Sequence, residues 1–513
     1  MGNLEHIVAA QQDLLKGLLA AERGEIKVPD LKPLSGVLGI LPQRNDLFAT
    51  RIRITGGELE LEKLNFIAGL VKKVKPGYIH FSSRQTIQLH DVPPGRAKVV
   101  IEECTRNGLP FRGGGGDSFR NVSASLSSGI APDGSADLIP YARALTDAVF
   151  DWDEAFKLPR KLKIAFASQD DAALALRQDL GFVESYDDKG NFGFAVYGGG
   201  GFGRNAAVGI ELLKFITPAD LPRVARSMVQ LFSEHGDRAN RASARVRYVR
   251  ARLGDKEFVK LFRDYYKRFA KTGFPAVPVF PVSWNARRPV SPAVSPADFA
   301  KDPDFRRWLK FAVKPTRFHG KYSVLLPVPQ GVLSVDQFVK LAALLTGFDV
   351  PAVRFTIDQN IWLPTVGKRY LYPLYRALEA FPADLTLTSF RGQIKSCIGA
   401  TVCKAGILDA PKYGALLADA LDRHFRKNPA KLTPELALAI VNGVRLSGCH
   451  NSCLSHQAAR IGLQGTRKKV GEELVDGFTV WLNPDGAPMG SENPEFIPAG
   501  RLAKRVIELL EKL

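Results

Sequence analysis

Alternating apolar and polar positions mark the first regular unit of the chain. Residues 51–55, Arg-Ile-Arg-Ile-Thr, have the period of a strand. Gly56-Gly57 breaks that run, and residues 58–74 follow with helical spacing that stops before Pro76-Gly77. A second strand is predicted over 78–90, so strand, glycine turn, helix and strand form a compact α/β unit. The same order recurs downstream. Residues 321–329 alternate, Ser334 to Gln337 reads as a capping box, 337–348 are helical, and 353–364 return as a strand. The two second strands align, with Arg84-Gln85-Thr86-Ile87-Gln88-Leu89 against Asp358-Gln359-Asn360-Ile361-Trp362-Leu363, which share Gln, Ile and Leu at equal offsets. An ancestral duplication explains this. Arg84 stands where the second copy has Asp358, so anion binding at this position belongs to one copy only.

Between the copies, 158–168 read as a strand, 198–203 as a glycine-rich turn and 218–236 as a helix, a second α/β region. Residues 274–316 are dense in proline and are predicted to link two halves. The expected division is an N-terminal helical segment over 1–34, a duplicated pair of half-domains over 35–115 and 317–380, an α/β domain over 116–290, a Pro-rich linker over 291–316, and a last domain over 381–513.

The length of 513 residues is itself beyond what one hydrophobic core organises. With 45% hydrophobic and 24% charged residues the composition is that of a globular protein. Charge changes the picture more: a net +19 favours anionic ligands or an acidic partner. The first 25 residues lack the pattern of a secretory signal, His6 replaces the Ser or Thr of a myristoylation motif, and no apolar run is long enough to span a bilayer. A cytoplasmic protein without membrane contact is expected.

Five cysteines are too few for a disulfide scaffold, yet four of them cluster as Cys397 and Cys403, then Cys449 and Cys453. Four thiolates can hold zinc or an iron-sulfur cluster; structural zinc sites usually space each pair more tightly. Gly399, Gly406 and Gly448 allow close backbone approach to a bulky inorganic group, which favours the cluster. Cys104 stands apart as an ordinary buried thiol. His90, His235 and His424 lack metal-ligand spacing, and His450 and His456 are read as neighbours of the second cysteine pair. Cations meanwhile recur at strand positions. Arg51 and Arg53 share one strand, Arg84 lies in the next, Arg120 follows the glycine run 113–116, and Lys161 and Lys163 share one face of a third. Cations converging from separate strands suit a polyanion. The glycine runs lack a following Lys-Ser/Thr and are read as tight turns beside a cofactor or as plain loops.

Together these motifs resemble the siroheme-dependent sulfite and nitrite reductases, from about residue 35 to the C-terminus. The likeness lies in Cys-x5-Cys followed by Gly-Cys-x-Asn-x-Cys, Arg-Gln-Thr at 84–86, Arg-Asn-Val at 120–122, Leu-Pro-Arg-Lys-x-Lys at 158–163 and the glycine run near 200. The resemblance implies an α+β fold, internally duplicated, with three α/β domains in pseudo-twofold symmetry. It also implies a 4Fe-4S cluster on the four cysteines, joined through Cys453 to a siroheme. Arg51, Arg120, Lys161 and Lys163 would then surround the substrate anion. Ser82, Arg84 and Asn451 would seat the macrocycle, with Arg53 and Arg112 behind them. Two positions depart from the family's pattern: His450 replaces a usual Pro, and His80 a usual Arg. Lys163, where family nitrite reductases tend to have Asn, tilts the substrate toward sulfite, with nitrite as the alternative. No flavin or nicotinamide domain is recognisable, so the resemblance implies an acidic donor protein, a ferredoxin or else a flavoprotein subunit. A corrinoid-pathway oxygenase of related fold is a further alternative. A nucleic-acid binder with structural zinc leaves the Arg-Gln-Thr and Lys-x-Lys strands unexplained.

Overall fold

A computed structural model of the chain describes residues 4–43, 45–281, 302–348, 350–387, 389–441 and 443–512. It comprises two compact units. The first is Met1–Ile79, Arg84–Gly201 and Ala207–Asn285; the second is His80–Ser83, Phe202–Ala206 and Ala286–Leu513.

The first unit begins with a helix over Leu4–Glu22 and continues into strands β1 (Ile40–Pro42), β2 (Phe48–Ile52), β3 (Glu58–Glu60), β4 (Tyr78–Phe81) and β5 (Ile87–Val92). Four of these form a sheet in the order β1-β2-β5-β4. A second sheet follows, made of β6 (Ser123–Ala124), β7 (Ile164–Ala167), β8 (Leu180–Tyr186), β9 (Phe192–Gly198) and β10 (Ile210–Ile216). Its order is β6-β7-β8-β9-β10, with the first two pairings parallel and the last two antiparallel. Its core joins Phe166, Phe182 and Phe194 to Leu145, Val149, Val224, Met228 and Phe232 from the helices Ile139–Phe150 and Leu221–His235. These side chains bury nearly all of their apolar surface, the main stabilising term for this layer.

The second unit repeats both designs. Of strands β11 (Val313–Pro315), β12 (Lys321–Leu326), β13 (Val332–Leu333), β14 (Ala352–Phe355) and β15 (Ile361–Gly367), all but β13 form a sheet in the order β11-β12-β15-β14. Strands β16 (Lys395–Ser396), β17 (Val444–Ser447), β18 (Ile461–Val470), β19 (Glu473–Leu482) and β20 (Ser491–Pro498) form the last sheet. It has the same sequence of parallel, parallel, antiparallel and antiparallel pairings as β6 to β10. The duplication therefore extends to the α/β domains, where the two sequences show no visible repeat. The capping box at Ser334 and Gln337 is formed, with Ser334 Oγ accepting the Gln337 N–H at 3.1 Å and Gln337 Oε1 accepting the Ser334 N–H at 2.9 Å.

Three expectations need correction. The predicted helix over 58–74 spans Leu61–Val74, its first three residues forming β3. The predicted strands over 78–90 and 353–364 are each two strands folded back on one another. A turn at Gln85 (φ 56°) and another at Gln359 (φ 63°) reverse the chain. Left-handed conformation is uncommon for glutamine, and here both glutamines are buried. In the first copy the side chain offsets the strain by acting as a strand edge: Gln85 Nε2 donates to Ala124 O at 2.9 Å and Oε1 accepts the Ala124 N–H at 3.0 Å. Both turns also rest against a glycine, because a Cβ on Gly57 would lie 2.7 Å from the Gln85 side chain and one on Gly331 2.6 Å from that of Gln359.

The third correction concerns the linker. Residues 291–301 lie outside the described residues, but Pro303–Ala312 is a helix and β11 pairs with β12. Asp302 caps the helix by accepting from the N–H groups of Asp304 (3.1 Å) and Phe305 (2.9 Å). Phe305, Trp308 and Ala312 share the buried face.

Candidate active site

In the first unit, cations meet at the N-terminal ends of β7 and β8. Lys161 and Lys163 flank the buried Leu162, which bridges to Phe119, so the two lysines lie on one side of the chain. Arg84, in the turn made by Gln85, donates to Gln178 Oε1 at 2.8 Å and to the carbonyls of Asn121 at 2.5 Å and Ile164 at 3.0 Å. Arg245, just before the helix Val246–Leu253, grips Asp179, with Nη2 2.9 Å from Oδ1 and 2.8 Å from Oδ2.

A second group lies around the glycine loop 113–116. Arg120 donates from Nη1 to Gly115 O at 2.7 Å and Ser118 O at 2.9 Å, and from Nη2 to Gly116 O at 2.7 Å. Arg51 donates to Gly114 O. Gly113 (φ 72°) has no room for a side chain, since a Cβ would stand 2.6 Å from Phe119 O. Arg53 is less a ligand group than a brace: it donates to Arg120 O (3.0 Å) and Arg112 O (2.9 Å) and lies over the rings of Phe119 and Phe150. Arg112 pairs with Asp153 at 2.7 Å and covers the Phe156 ring at 4.3 Å.

This concentration of charge has an electrostatic cost. Burial, with Arg84 and Arg51 nearby, pushes the pKa of Arg53 down to about 9. Burial, with Arg245 and Arg51 adding to it and Asp179 opposing, pushes Arg84 down to about 10. Arg120 and Lys163 are both held well below their usual values by burial first and by surrounding cations second. A nearby anion would oppose each of these shifts.

The second unit brings all four clustered cysteines together. Parallel pairing of Lys395 with Arg445 and Ser396 with Leu446 sets Cys397 beside Gly448-Cys449. The Cys397 N–H donates to Leu446 O at 3.0 Å, and the Gly448 N–H donates to Cys397 Sγ at 3.2 Å. A Cβ on Gly448 would lie 2.9 Å from Gly399 Cα, so the loops touch backbone to backbone. Burial and the neighbouring Cys453 and Cys449 push Cys397 up to about 12. Cys449 is raised by burial and by Cys453 and Cys403, while hydrogen bonds from the Asn451 backbone and side chain oppose the rise. Asn451, expected at the macrocycle, is thus placed on the Cys449 sulfur. Among the described residues no three His, Cys, Asp or Glu side chains converge as closely as one metal ion requires. The four cysteines are close enough to act on one another electrostatically, and four thiolates are the ligand set of a cubane.

Cys453 is the exposed member of the four. Its loop is tight, with Ser452 (φ 50°) and Ser455 (φ 56°) left-handed. Ser83, next to the buried Ser82, donates its hydroxyl to Cys453 O at 2.5 Å. His450 has a lowered pKa from burial and Arg204, and His456, fully buried beside Trp481, is pushed by burial to about 3. Gln457 clamps Gly203, at the end of the second glycine run, through bonds of 3.0 and 3.1 Å. Of the remaining histidines, His90 stacks on Tyr78, His235 meets Tyr265, and His424 meets Glu511.

Two family models match the chain. The nitrite and sulphite reductase 4Fe-4S domain covers residues 115–269, which hold Lys161, Lys163, Asp179 and Arg245, and the nitrite/sulfite reductase ferredoxin-like half domain covers 41–107 and 318–381. Together they account for more than half of the sequence. The chain belongs to the nitrite and sulphite reductase family. Among family members, a ferredoxin–nitrite reductase of Synechococcus elongatus is 27% identical over 450 residues, 85% of this chain and 79% of that protein. The NADPH sulfite reductase hemoprotein beta-component of Acidithiobacillus ferrooxidans is 24% identical, over 82% of this chain and 74% of that one. The fold matches that of the Mycobacterium tuberculosis NirA protein with a TM-score of 0.77 and 21% identity, across 98% of this chain and 93% of that one. The cofactors of this family member are siroheme and a 4Fe-4S cluster, and residues of each unit suit them. The cysteines meet the cluster's need for four thiolates. The arginines and lysines of the first unit meet the need of a macrocycle bearing eight carboxylates, and Arg53 Nε and Arg112 Nε and Nη1 are buried donors without a hydrogen-bond partner.

No helix among the described residues is long and apolar enough to cross a membrane.

Proposed function

We propose that this reductase takes sulfite to sulfide. In this reading Arg51, Arg120, Lys161 and Lys163 bind the oxyanion, Ser82 and Arg84 hold the macrocycle with Arg53 and Arg112 behind them, and Asn451, first expected at the macrocycle, supports the Cys449 sulfur instead. Cys397, Cys403, Cys449 and Cys453 would hold the cluster, with Cys453 as its link to the siroheme. The two cofactors, when bound, would supply electrons and the iron that takes the anion. The chain's own part is charge and protons. Arg51 and Arg120 offer guanidinium forks to the anion's oxygens, and Arg120 would exchange loop carbonyls for them. Lys161 and Lys163 supply point charges and protons as oxygens leave as water. A bound anion raises the depressed Lys163 pKa, so the proton is held when substrate is present and is released readily as negative charge departs.

The observation that favours sulfite is Lys163 itself: a lysine in the buried cluster adds one more full charge to meet a dianion. Similarity to a named ferredoxin–nitrite reductase favours the second reading, nitrite to ammonia at the same centre. Steady-state kinetics with both anions decide between them. The expected result is a higher kcat/KM for sulfite; a value for nitrite far above it reverses the assignment.

The electron donor proposed is an acidic ferredoxin, attracted by the net +19 charge, with a flavoprotein subunit as the alternative suggested by the hemoprotein relative. Turnover with ferredoxin should slow steeply between about 50 mM and 300 mM salt, as screening shortens the reach of surface charge. A salt-independent rate counts against that partner.

A further inference from the structure

Asp179 lies inside the cation cluster, fully buried. Its Oδ2 accepts the Lys163 N–H at 2.8 Å, and both oxygens accept from Arg245. The residue before it, Gln178, binds Arg84 through Oε1 at 2.8 Å and ties its own Nε2 to Leu174 O at 2.9 Å. Their carbonyls hold the second glycine run, because the Gly199 N–H donates to Asp179 O and the Gly200 N–H to Gln178 O, each at 3.0 Å. Gly201 leaves Arg245 room on another side, since a Cβ there would stand 3.2 Å from its Nη2. One dipeptide therefore fixes Arg84, Arg245 and the Lys163 backbone.

The duplicated sheet shows that the fold does not require an acid here. Ile164 pairs with Leu180 in the first sheet as Val444 pairs with Ile461 in the second. The residue preceding the third strand is Asp179 in one and Arg460 in the other. Both keep the same backbone bond: the Gly199 N–H to Asp179 O is 3.0 Å, and the Asn483 N–H to Arg460 O is 3.1 Å. The strand end forms with either charge. The carboxylate serves the cations around it.

We propose that Asp179 is a positioning residue for anion reduction, fixing Arg245 and Lys163 at the heads of β7 and β8 and setting the charge that the cluster presents to a bound oxyanion. This rests on the reading of Lys163 as a contact to the anion. The charged groups facing Lys163 are Arg245 before its helix, Lys161 on the same strand, Arg84 in the Gln85 turn, and Asp179 at the head of β8. Arg245, Lys161 and Arg84 disfavour the lysine proton and Asp179 favours it. Removing the acid makes Lys163 give up its proton at lower pH, and removing Arg245 does the opposite.

The test follows nitrite binding to the oxidised holoenzyme by visible absorption, since the charge of nitrite is constant over pH 6 to 10, with kcat/KM measured alongside. Affinity should fall on an alkaline limb as Lys163 loses its charge. Asp179→Asn moves that limb to lower pH by about one unit and Arg245→Gln moves it to higher pH, while Lys163→Gln removes it. If Asp179→Asn does not retain its cofactors, Arg245→Gln carries the test alone. A limb that survives Lys163→Gln overturns the reading of Lys163, and the role of Asp179 with it. A limb lost in Lys163→Gln but unmoved in the other variants overturns only the role of Asp179, leaving it a structural ion pair.

Discussion

Cys453→Ser is expected to abolish oxyanion reduction, on the order of 10³-fold or more, because in the proposed reading that sulfur links the cluster to the siroheme. The backbone is expected to survive the change. The Ser83 hydroxyl holds the Cys453 carbonyl, not its thiol, and the left-handed turns at Ser452 and Ser455 do not involve the replaced atom. Iron and acid-labile sulfide counts should therefore fall while far-UV circular dichroism stays the same. Cys104→Ser is the control. That thiol is fully buried, raised by burial, and distant in sequence from the loops, so its loss is expected to cost stability and leave the iron content intact. A Cys453→Ser enzyme that keeps both its iron and its rate overturns the assigned link.

Lys163→Asn should lower kcat/KM for sulfite by about 10²–10³-fold, the range lost when one preorganised donor is removed from a developing oxyanion. The nitrite value should fall by less than about tenfold, since a singly charged anion needs less neutralisation. The backbone N–H of residue 163 keeps its bond to Asp179, so the strand end stays in place. Arg84, Arg245 and Lys161 still supply charge. Equal losses for the two anions would make Lys163 a general oxyanion donor and would remove its part in choosing substrate.

Much of this architecture is legible in the sequence, and the failures have physical causes. The ferredoxin-like repeat is visible because apolar alternation and a capping box recur at matching offsets. The turns at Gln85 and Gln359 are not, because nothing in Ser-Ser-Arg-Gln-Thr marks a reversal; the left-handed glutamine is supported by Ala124, some 39 residues on. The helix at Pro303 is hidden by the prolines before it, although Asp302 and the Phe305, Trp308, Ala312 spacing signal it. Cysteines and cations stand out by residue type alone. Asp179 does not: it becomes part of the site only through Arg245, 66 residues later, and a solitary acid ahead of a strand carries no such signal. Arg53 and Arg112 show the converse, being conspicuous cations that turn out to brace carbonyls, rings and Asp153.

The matched glutamine turns also bear on how distant kinship can be traced. Buried Ile and Leu at equal offsets can arise twice, because any two strands that must hide one face converge on the same few residues. A glutamine held at positive φ has no such excuse, since glycine or asparagine would do better on local grounds. Two such irregularities at one place in two sheets are inherited, like a copying error shared by two manuscripts. In other ancient folds with internal symmetry, strained positions should therefore be a sharper marker of common descent than well-packed ones.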